Sequence, residues 1–402
     1  MKIVTFLVLL IGFNSMAQTE NYWVKKNDFT GLKRERTSSF VIQNTAYVYG
    51  GIDTTEVSKS DLWKYNTQLD TWTQLADLPG SSRRDAIAFS LNDLGYIGLG
   101  MDSSSATNGN LLKDLWQYNP TTNTWLQKAD FPGATGNGLY FATSFALDNK
   151  GYVCGGKYGP SQYTNQLWEY KPANDSWTQR KPYPGGIRYQ LSSFTIGQFA
   201  YVGLGTDQNF YKKDFYRYSP GNNTWIQIQD FGGGERGSAS AFSIQERGFI
   251  CLGTNGGLRD DLWSYSPYTN QWTQKAFYGG SSRKGAFAFV IRDTAYVGTG
   301  KGVSGKKESI HAYIPNLVLG ENTLEVSSVQ IFPNPFMDFI QIRNAENSQW
   351  MLYNTAGELV KTFEVTSNAM QIEMNDLPKG IYYLHKISPQ KENQTYLKLI
   401  KC

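Results

Sequence analysis

A tryptophan pattern that occurs five times constrains this chain more than any other feature. "DLWKYNTQLDTW" begins at Asp61 and returns as "DLWQYNPTTNTW" from Asp114, "QLWEYKPANDSW" from Gln166, "DFYRYSPGNNTW" from Asp214 and "DLWSYSPYTNQW" from Asp261. The first aromatics, Trp63, Trp116, Trp168, Tyr216 and Trp263, lie 53, 52, 48 and 47 residues apart. Each is followed nine residues later by Trp72, Trp125, Trp177, Trp225 or Trp272. A second landmark occurs six times, centred on Tyr47, Tyr96, Tyr152, Tyr201, Phe249 and Tyr296. Four residues past each lies Gly51, Gly100, Gly156, Gly205, Gly253 or Gly300, and seven before each lies Phe40, Phe89, Phe145, Phe194, Phe242 or Phe289. A period near fifty marks units that cannot bury their apolar faces alone and must stack on one another.

Each unit reads as four short strands. The first is rich in small residues, such as Ala86-Ile87-Ala88 and Ser238-Ala239-Ser240-Ala241; the third and fourth carry the tryptophans. Pro120, Pro172, Pro220 and Pro267, with a later Asn or Asp, predict tight turns between strands three and four. That taper from small to large suits wedge-shaped sheets meeting at an axis, which is a β-propeller. The 40 Gly and 26 Tyr agree with an all-β class. The last unit has a third strand in "ESIHAYIP" (308–315) but no Trp strand after it, whereas "NYWVKKNDF" (21–29) has Trp23 with no third strand before it. The N-terminal segment is therefore expected to be the outer strand of blade six, closing a six-bladed ring and removing its open edges.

Residues 1–17 form a separate element. Lys2, the apolar run Ile3 to Phe13 and the small residues Ser15-Met16-Ala17 predict a secretory signal peptide cleaved before Gln18. No other stretch is long and apolar enough to span a bilayer, so the mature protein is expected to be exported, soluble and monomeric. Cys154 and Cys251 occupy the same place in two different repeats and are expected to be buried free thiols, with Cys402 the third cysteine. A net charge of +4 over 402 residues gives no reason to expect a nucleic-acid partner.

From Ser328 the period stops. "VQIFPNPFMDFIQI", "WMLYNTAGELVKTF", "MQIEMNDLPKGIYYLHKI" and "TYLKLIK" alternate apolar and polar residues between turns, predicting a small β-sandwich. Pro333-Asn334-Pro335, Asp338, Gly357, Leu377, Gly380-Ile381-Tyr382 and Lys398 to Lys401 resemble the C-terminal sorting domain of the type IX secretion system of Bacteroidetes. The resemblance implies engagement of that machinery, passage across the outer membrane, and release or attachment at the cell surface.

The propeller repeats, over roughly residues 22–314, resemble kelch motifs. The kelch Gly-Gly doublet is intact at Gly50-Gly51 and Gly155-Gly156, while Leu99, Leu204, Leu252 and Thr299 replace its first member elsewhere. The chain is thus expected to comprise a signal peptide (1–17), a six-bladed kelch propeller (18–315), a linker (316–327) and a sorting domain (328–402).

Chemistry-bearing groups are few. With two His residues, His311 and His385, and no Cys/His cluster of metal spacing, no metal or other cofactor is expected. Six residues before each strand-one Phe stand Arg34, Arg83, Leu139, Arg188, Arg236 and Arg283. Five arginines at the start of the innermost strands would ring one mouth of the central channel and could hold a carboxylate, phosphate or sulfate. Arg36, Arg84 and Lys284 add to the field. The same arginines also suit a structural role between blades, and Asp61, Asp114, Asp214 and Asp261 suit capping of loop backbone. The expected function is noncatalytic binding of a glycan or protein ligand. An alternative follows from similarity to bacterial sialic acid mutarotases, which share a six-bladed kelch ring and act on an anionic sugar. Their proton transfer needs a base beside an Arg, for which Glu235 next to Arg236 is the candidate pair.

Overall fold

The structure is a computed structural model. It describes residues 21–103, 109–133, 137–315, 330–332, 336–343, 345, 347–354, 358–387 and 396–401. The expected signal peptide, the linker, Pro333-Asn334-Pro335, Gly357 and Cys402 lie outside the described residues. The chain divides into two compact units, 1–316 and 317–402.

The first unit is built from six four-stranded antiparallel sheets. Five follow chain order from inside to outside. Blade one comprises Ser38–Ile42, Thr45–Tyr49, Leu62–Asn66 and Thr71–Gln74; blade two comprises Ile87–Leu91, Leu94–Gly98, Leu115–Asn119 and Thr124–Lys128. The innermost strands of blades three, four and five are Thr143–Leu147, Ser192–Ile196 and Ser240–Ile244. Blade six takes Phe287–Ile291, Thr294–Gly298 and Ile310–Ile314 from its own repeat and Tyr22–Lys26 from the N-terminus. Trp23 pairs with Tyr313 in that register.

Small residues on the inner strands allow close approach, and their hydroxyls tie neighbouring blades together. Ser39 Oγ donates to Ala288 O (2.8 Å), Ser144 Oγ to Ala88 O (3.0 Å) and Ser243 Oγ to Thr195 O (2.6 Å). The aromatic residues fill the widening space between blades. Phe29, Val48, Tyr65, Phe287, Phe289 and Tyr296 share one buried cluster, so blades six and one pack as consecutive members of a ring.

An outer belt repeats the same closure. The turn residue two before each outer Trp adopts a left-handed backbone: Asn21, Asp70, Asn123, Asp175, Asn223 and Asn270, with φ of 59°, 54°, 54°, 49°, 52° and 53°. Each accepts the hydroxyl of its own blade's strand-three Tyr, at 2.8 Å for Tyr313 to Asn21. Asp70, Asn123, Asp175, Asn223 and Asn270 then accept a backbone N–H from the segment leaving the preceding blade. "Asn-Tyr-Trp" at 21–23 is therefore the sixth copy of this turn, separated from its Tyr by 292 residues.

Cys154 and Cys251 are fully buried free thiols. The second unit is a sandwich of a three-stranded and a four-stranded sheet around Phe336, Ile340, Trp350, Leu352, Tyr382 and Leu384. Its strand Tyr396–Lys401 pairs with Gly380–Ile387. No helix among the described residues is long and apolar enough to cross a membrane.

Trp23 lies against Tyr278 and Tyr313, at ring distances of 4.8 and 5.1 Å. Its replacement by Ala is expected to reduce stability by about 2–4 kcal/mol, measured by denaturant unfolding. Deleting residues 21–29 also removes Phe29 from the blade six–blade one core and is expected to lower the melting midpoint further. An unchanged midpoint for the deletion contradicts the closing role.

Candidate functional site

The five arginines do not face the channel. Arg34, Arg83, Arg188, Arg236 and Arg283 are 0–2% exposed, and each is engaged within its own blade. Two guanidinium nitrogens of Arg34 donate to the Asp61 carboxylate at 2.6 and 2.9 Å, and Arg83 meets Asp114 at 2.6 and 2.8 Å. Arg188 does the same with Asp214 and Arg236 with Asp261. The Nη1 group also donates to a carbonyl sixteen residues on: Gly50, Leu99, Leu204, Leu252 or Thr299, at 2.9–3.1 Å. Those carbonyls belong to the first position of the doublet, which is left-handed whether Gly occupies it or not, with φ of 57° at Leu99 and 64° at Leu252. Apart from glycine, residues pay for that conformation in sterics, and the arginine pins it. In place of the ligand-binding role expected of these side chains the structure shows a structural one: all five are buried and their Nη groups are engaged by an Asp, a Ser or a carbonyl, while the Nε groups of Arg188 and Arg236 are buried without a partner. The strand-three Asp residues hold the arginines and the indole N–H of Trp63, Trp116 and Trp263, in addition to any capping.

Two blades depart from this pattern in a correlated way. Blade six has Ser309 where the Asp stands, and Arg283 bonds its hydroxyl and carbonyl at 3.0 and 3.2 Å. Blade three has lost both partners: Leu139 replaces the Arg and Gln166 the Asp. A cavity of about 10 Å³ lies there between Phe131, Leu139, Gln166 and Trp168, just large enough for a water.

The backbone at the arginine position performs the joining between blades. The N–H of each second doublet Gly donates to the carbonyl of the next blade's Arg-position residue: Gly51 to Arg83, Gly100 to Leu139, Gly156 to Arg188, Gly205 to Arg236, Gly253 to Arg283 and Gly300 to Arg34, at 2.7–3.0 Å. These glycines have φ of 81–107°, and a Cβ at Gly100 or Gly205 would stand 2.6 or 2.5 Å from a carbonyl oxygen, which excludes any side chain.

Two residues past the arginine position the chain turns into the channel. Arg36, Asp85, Phe141, Gln190, Ser238 and Gly285 all have left-handed backbones, with φ of 52–62°. Arg36 N–H donates to Gly285 O, Asp85 to Arg36, Gln190 to Phe141, Ser238 to Gln190 and Gly285 to Ser238, at 2.8–3.2 Å. These residues belt the axis at one mouth. The Arg36 guanidinium reaches Asp85 at 3.4 Å and lies over the Phe141 ring at 4.9 Å, spanning blades one to three. Burial pushes the Asp85 carboxyl up to about 6, against the attraction of Arg36 and Arg84. Gln190 Oε1 is buried without a hydrogen-bond partner. The sequence signal for this belt was its offset from the arginine; Arg36 and Arg84 stood out as charges, but only the left-handed turn directs the position inward.

Glu235 is exposed, and the guanidinium of its neighbour Arg236 is buried against Asp261, so the two do not form an acid–base pair at a site. His311 takes the place of the strand-three Trp; Nδ1 lies 3.2 Å from the Tyr278 hydroxyl, and burial and Arg283 lower its pKa to about 4. Among the described residues no group of three or more His, Cys, Asp or Glu converges to hold a metal.

Comparison with known proteins agrees with both units. Kelch motifs match at residues 33–79 and 138–182, and a secretion system C-terminal sorting domain matches at 330–401. The chain is 25% identical over 162 residues to kelch-like protein 35 of Mus musculus, covering 40% of this chain and 26% of that protein. It is 24% identical over 225 residues to N-acetylneuraminate epimerase 1 of Escherichia coli O6:H1, covering 46% and 59%. The matched stretches thus span about a quarter and somewhat over half of these relatives. A solved structure titled "Structure of YjhT" superposes with a TM-score of 0.60 at 15% identity, covering 71% of this chain and 95% of that one. The chain is a kelch-motif β-propeller. It carries a type IX sorting domain, which marks it for secretion across the outer membrane or attachment to the cell surface.

Arg236→Ala leaves the Asp261 carboxylate with the Trp263 indole N–H but without its cation and is expected to cost about 3–5 kcal/mol of stability. Conversely, Leu139→Arg with Gln166→Asp is expected to raise the melting midpoint, whereas either change alone lowers it. Burial opposes ionisation of Asp114 and Asp261, but their arginines outweigh it and hold both carboxyls below the usual value. Their contribution is therefore complete above about pH 4 and lost as pH falls through the lower folded-state values. Melting of wild type and Arg236→Ala between pH 7 and 3 should converge at the acid end.

Proposed function

We propose that the exported propeller is a noncatalytic recognition module that engages a glycan or protein ligand at the belted mouth of its channel. The observation that carries this reading is the convergence of Arg36, Asp85 and Phe141 from three blades onto one belt, on backbone held left-handed. Strained backbone maintained by surrounding structure is a feature of binding and catalytic positions. A mouth that sets a cation over an aromatic face, with a buried carboxylate holding the cation, can orient a polar ligand without a deep cavity. Residues 330–401 supply delivery to the outside. A glycan array and a surface-protein binding screen with the purified chain test this reading. A ligand should emerge whose affinity falls at least tenfold in Arg36→Ala, with the fold checked by its melting midpoint. Deleting residues 328–402 should leave the protein in the periplasm; normal surface delivery contradicts the sorting role.

A second reading is a sugar mutarotase, as the N-acetylneuraminate epimerase relatives suggest. Asp85 supports it better than Glu235, because it is a carboxyl poised near 6 beside Arg36 and Arg84. As a base it must be ionised, so any acceleration of N-acetylneuraminate anomer exchange should rise through pH 6 and vanish in Asp85→Asn. Exchange at the uncatalysed rate, followed by NMR, removes this reading.

A further inference from the structure

We propose that Lys157, with Tyr140, Tyr163 and Tyr189 around it, forms a subsite for the acidic group of a carbohydrate ligand. This rests on the reading that the belted mouth binds a ligand, and it names the class. Tyr140 and Lys157 are backbone partners at the entry of blade three, with N–H···O distances of 3.0 and 2.8 Å. Tyr163 returns on the hairpin formed by Lys157–Gly159 and Gln162–Tyr163, whose register shifts between Lys157 and Gly159. Tyr189 is the blade-four counterpart of Tyr140, one residue past the arginine position. Three rings from two blades thereby surround one ammonium: Nζ lies 5.5 Å from the Tyr140 ring, 5.1 Å from Tyr163 and 4.9 Å from Tyr189.

This lysine differs from three carboxylate-paired lysines on the equivalent loops, and from the exposed Lys301 in being partly buried. Lys59 is neutralised by Asp53 at 2.6 Å, Lys212 by Asp207 at 2.7 Å and Lys306 by Glu56 at 2.6 Å. Lys157 has no carboxylate within salt-bridge distance among the described residues; ring faces are its counter-charge. Burial lowers its pKa, as it does when a cation has lost water without gaining an anion. The aromatic faces compensate for only part of that lost hydration, and an incoming carboxylate or sulfate would supply the rest through charge-assisted hydrogen bonds.

The hydroxyls identify the rest of the ligand. Those of Tyr140 and Tyr163 have no hydrogen-bond partner within the described protein. Tyr163 and Tyr189 stack at 5.0 Å and 20°, which holds their hydroxyl-bearing edges in place. One unpaired ammonium beside two free phenols matches a ligand with an acid and several hydroxyls on one ring, as in a uronate, sialate or sulfated sugar. A peptide carboxylate would use the ammonium and leave the phenols idle. The cluster is continuous with the belt through Phe141, 5.1 Å from Tyr140 and 6.1 Å from Tyr189.

The test is calorimetric titration of the full secreted chain with uronate, sialate and sulfated oligosaccharides, each beside its neutral methyl ester or desulfated form. At least one acidic sugar should bind tenfold or more tightly than its neutral form. Lys157→Met should remove that preference while leaving neutral-sugar affinity within about twofold, and Lys157→Arg should retain part of it; melting midpoints establish that both variants fold. A preference that survives Lys157→Met, or none in wild type, overturns the subsite. Glutamate-rich peptide binding through Lys157 in place of sugar overturns the carbohydrate assignment. Failure of every sugar and protein ligand to bind removes the recognition reading with it.

Discussion

The propeller depends on one residue position ahead of each innermost strand, an arginine in five of the six blades, which bonds in two directions at once. Its side chain stays within the blade, joining the strand-two carbonyl to the strand-three Asp. Its carbonyl crosses to the preceding blade and accepts the doublet glycine N–H. A buried guanidinium needs both a charge partner and enough acceptors for its donors. The blade provides the carboxylate or hydroxyl and the carbonyl for the Nη groups, and in four of the five blades the arginine pins a left-handed residue other than glycine. Only glycine can follow at the second doublet position, because a side chain would strike a carbonyl.

Blade three stands apart in two respects that belong together. It lacks the arginine and the Asp, and its doublet is Gly155-Gly156, for which a left-handed backbone carries little strain. It is also the blade that supplies Phe141 to the belt and Tyr140, Lys157 and Tyr163 to the aromatic cluster. Five blades use a buried arginine to hold their shape, while blade three carries apolar packing at that position and sets Lys157 among aromatic rings. The division follows from energetics: a cation buried against its own carboxylate is out of reach of a ligand.

Much of the fold was legible in the sequence because its determinants are short-range and repeated. The Tyr-to-Gly and Leu-Trp-x-Tyr segments mark strands through alternation, and the Asn or Asp two before each Trp marks a left-handed turn. Even the ring closure was visible, since Trp23 lacks a third strand and Tyr313 lacks a fourth. The site was much less legible. Arg34 and its equivalents resembled an anion-binding ring because their spacing places them at the channel entrance. Spacing cannot tell whether a side chain points to the axis or back into its blade. The paired loss of Arg and Asp at Leu139 and Gln166 was the available clue that these residues bond each other. Glu235 next to Arg236 was a neighbour in sequence alone.

What the sequence by itself determined is the repeat, its strand order, the closing strand and the sorting tail, because each rests on local periodicity, turn chemistry or a contiguous motif. What only the tertiary structure decided is which charges are spent and which are free. Arg34 is bonded to Asp61, across a separation of 27 residues, while Lys157 finds only rings. Such pairings depend on how strands from different parts of the chain are brought together, and on the directions of side chains at left-handed turns. Burial then sets their value, since a charge excluded from water is governed by whatever groups the fold has placed within reach.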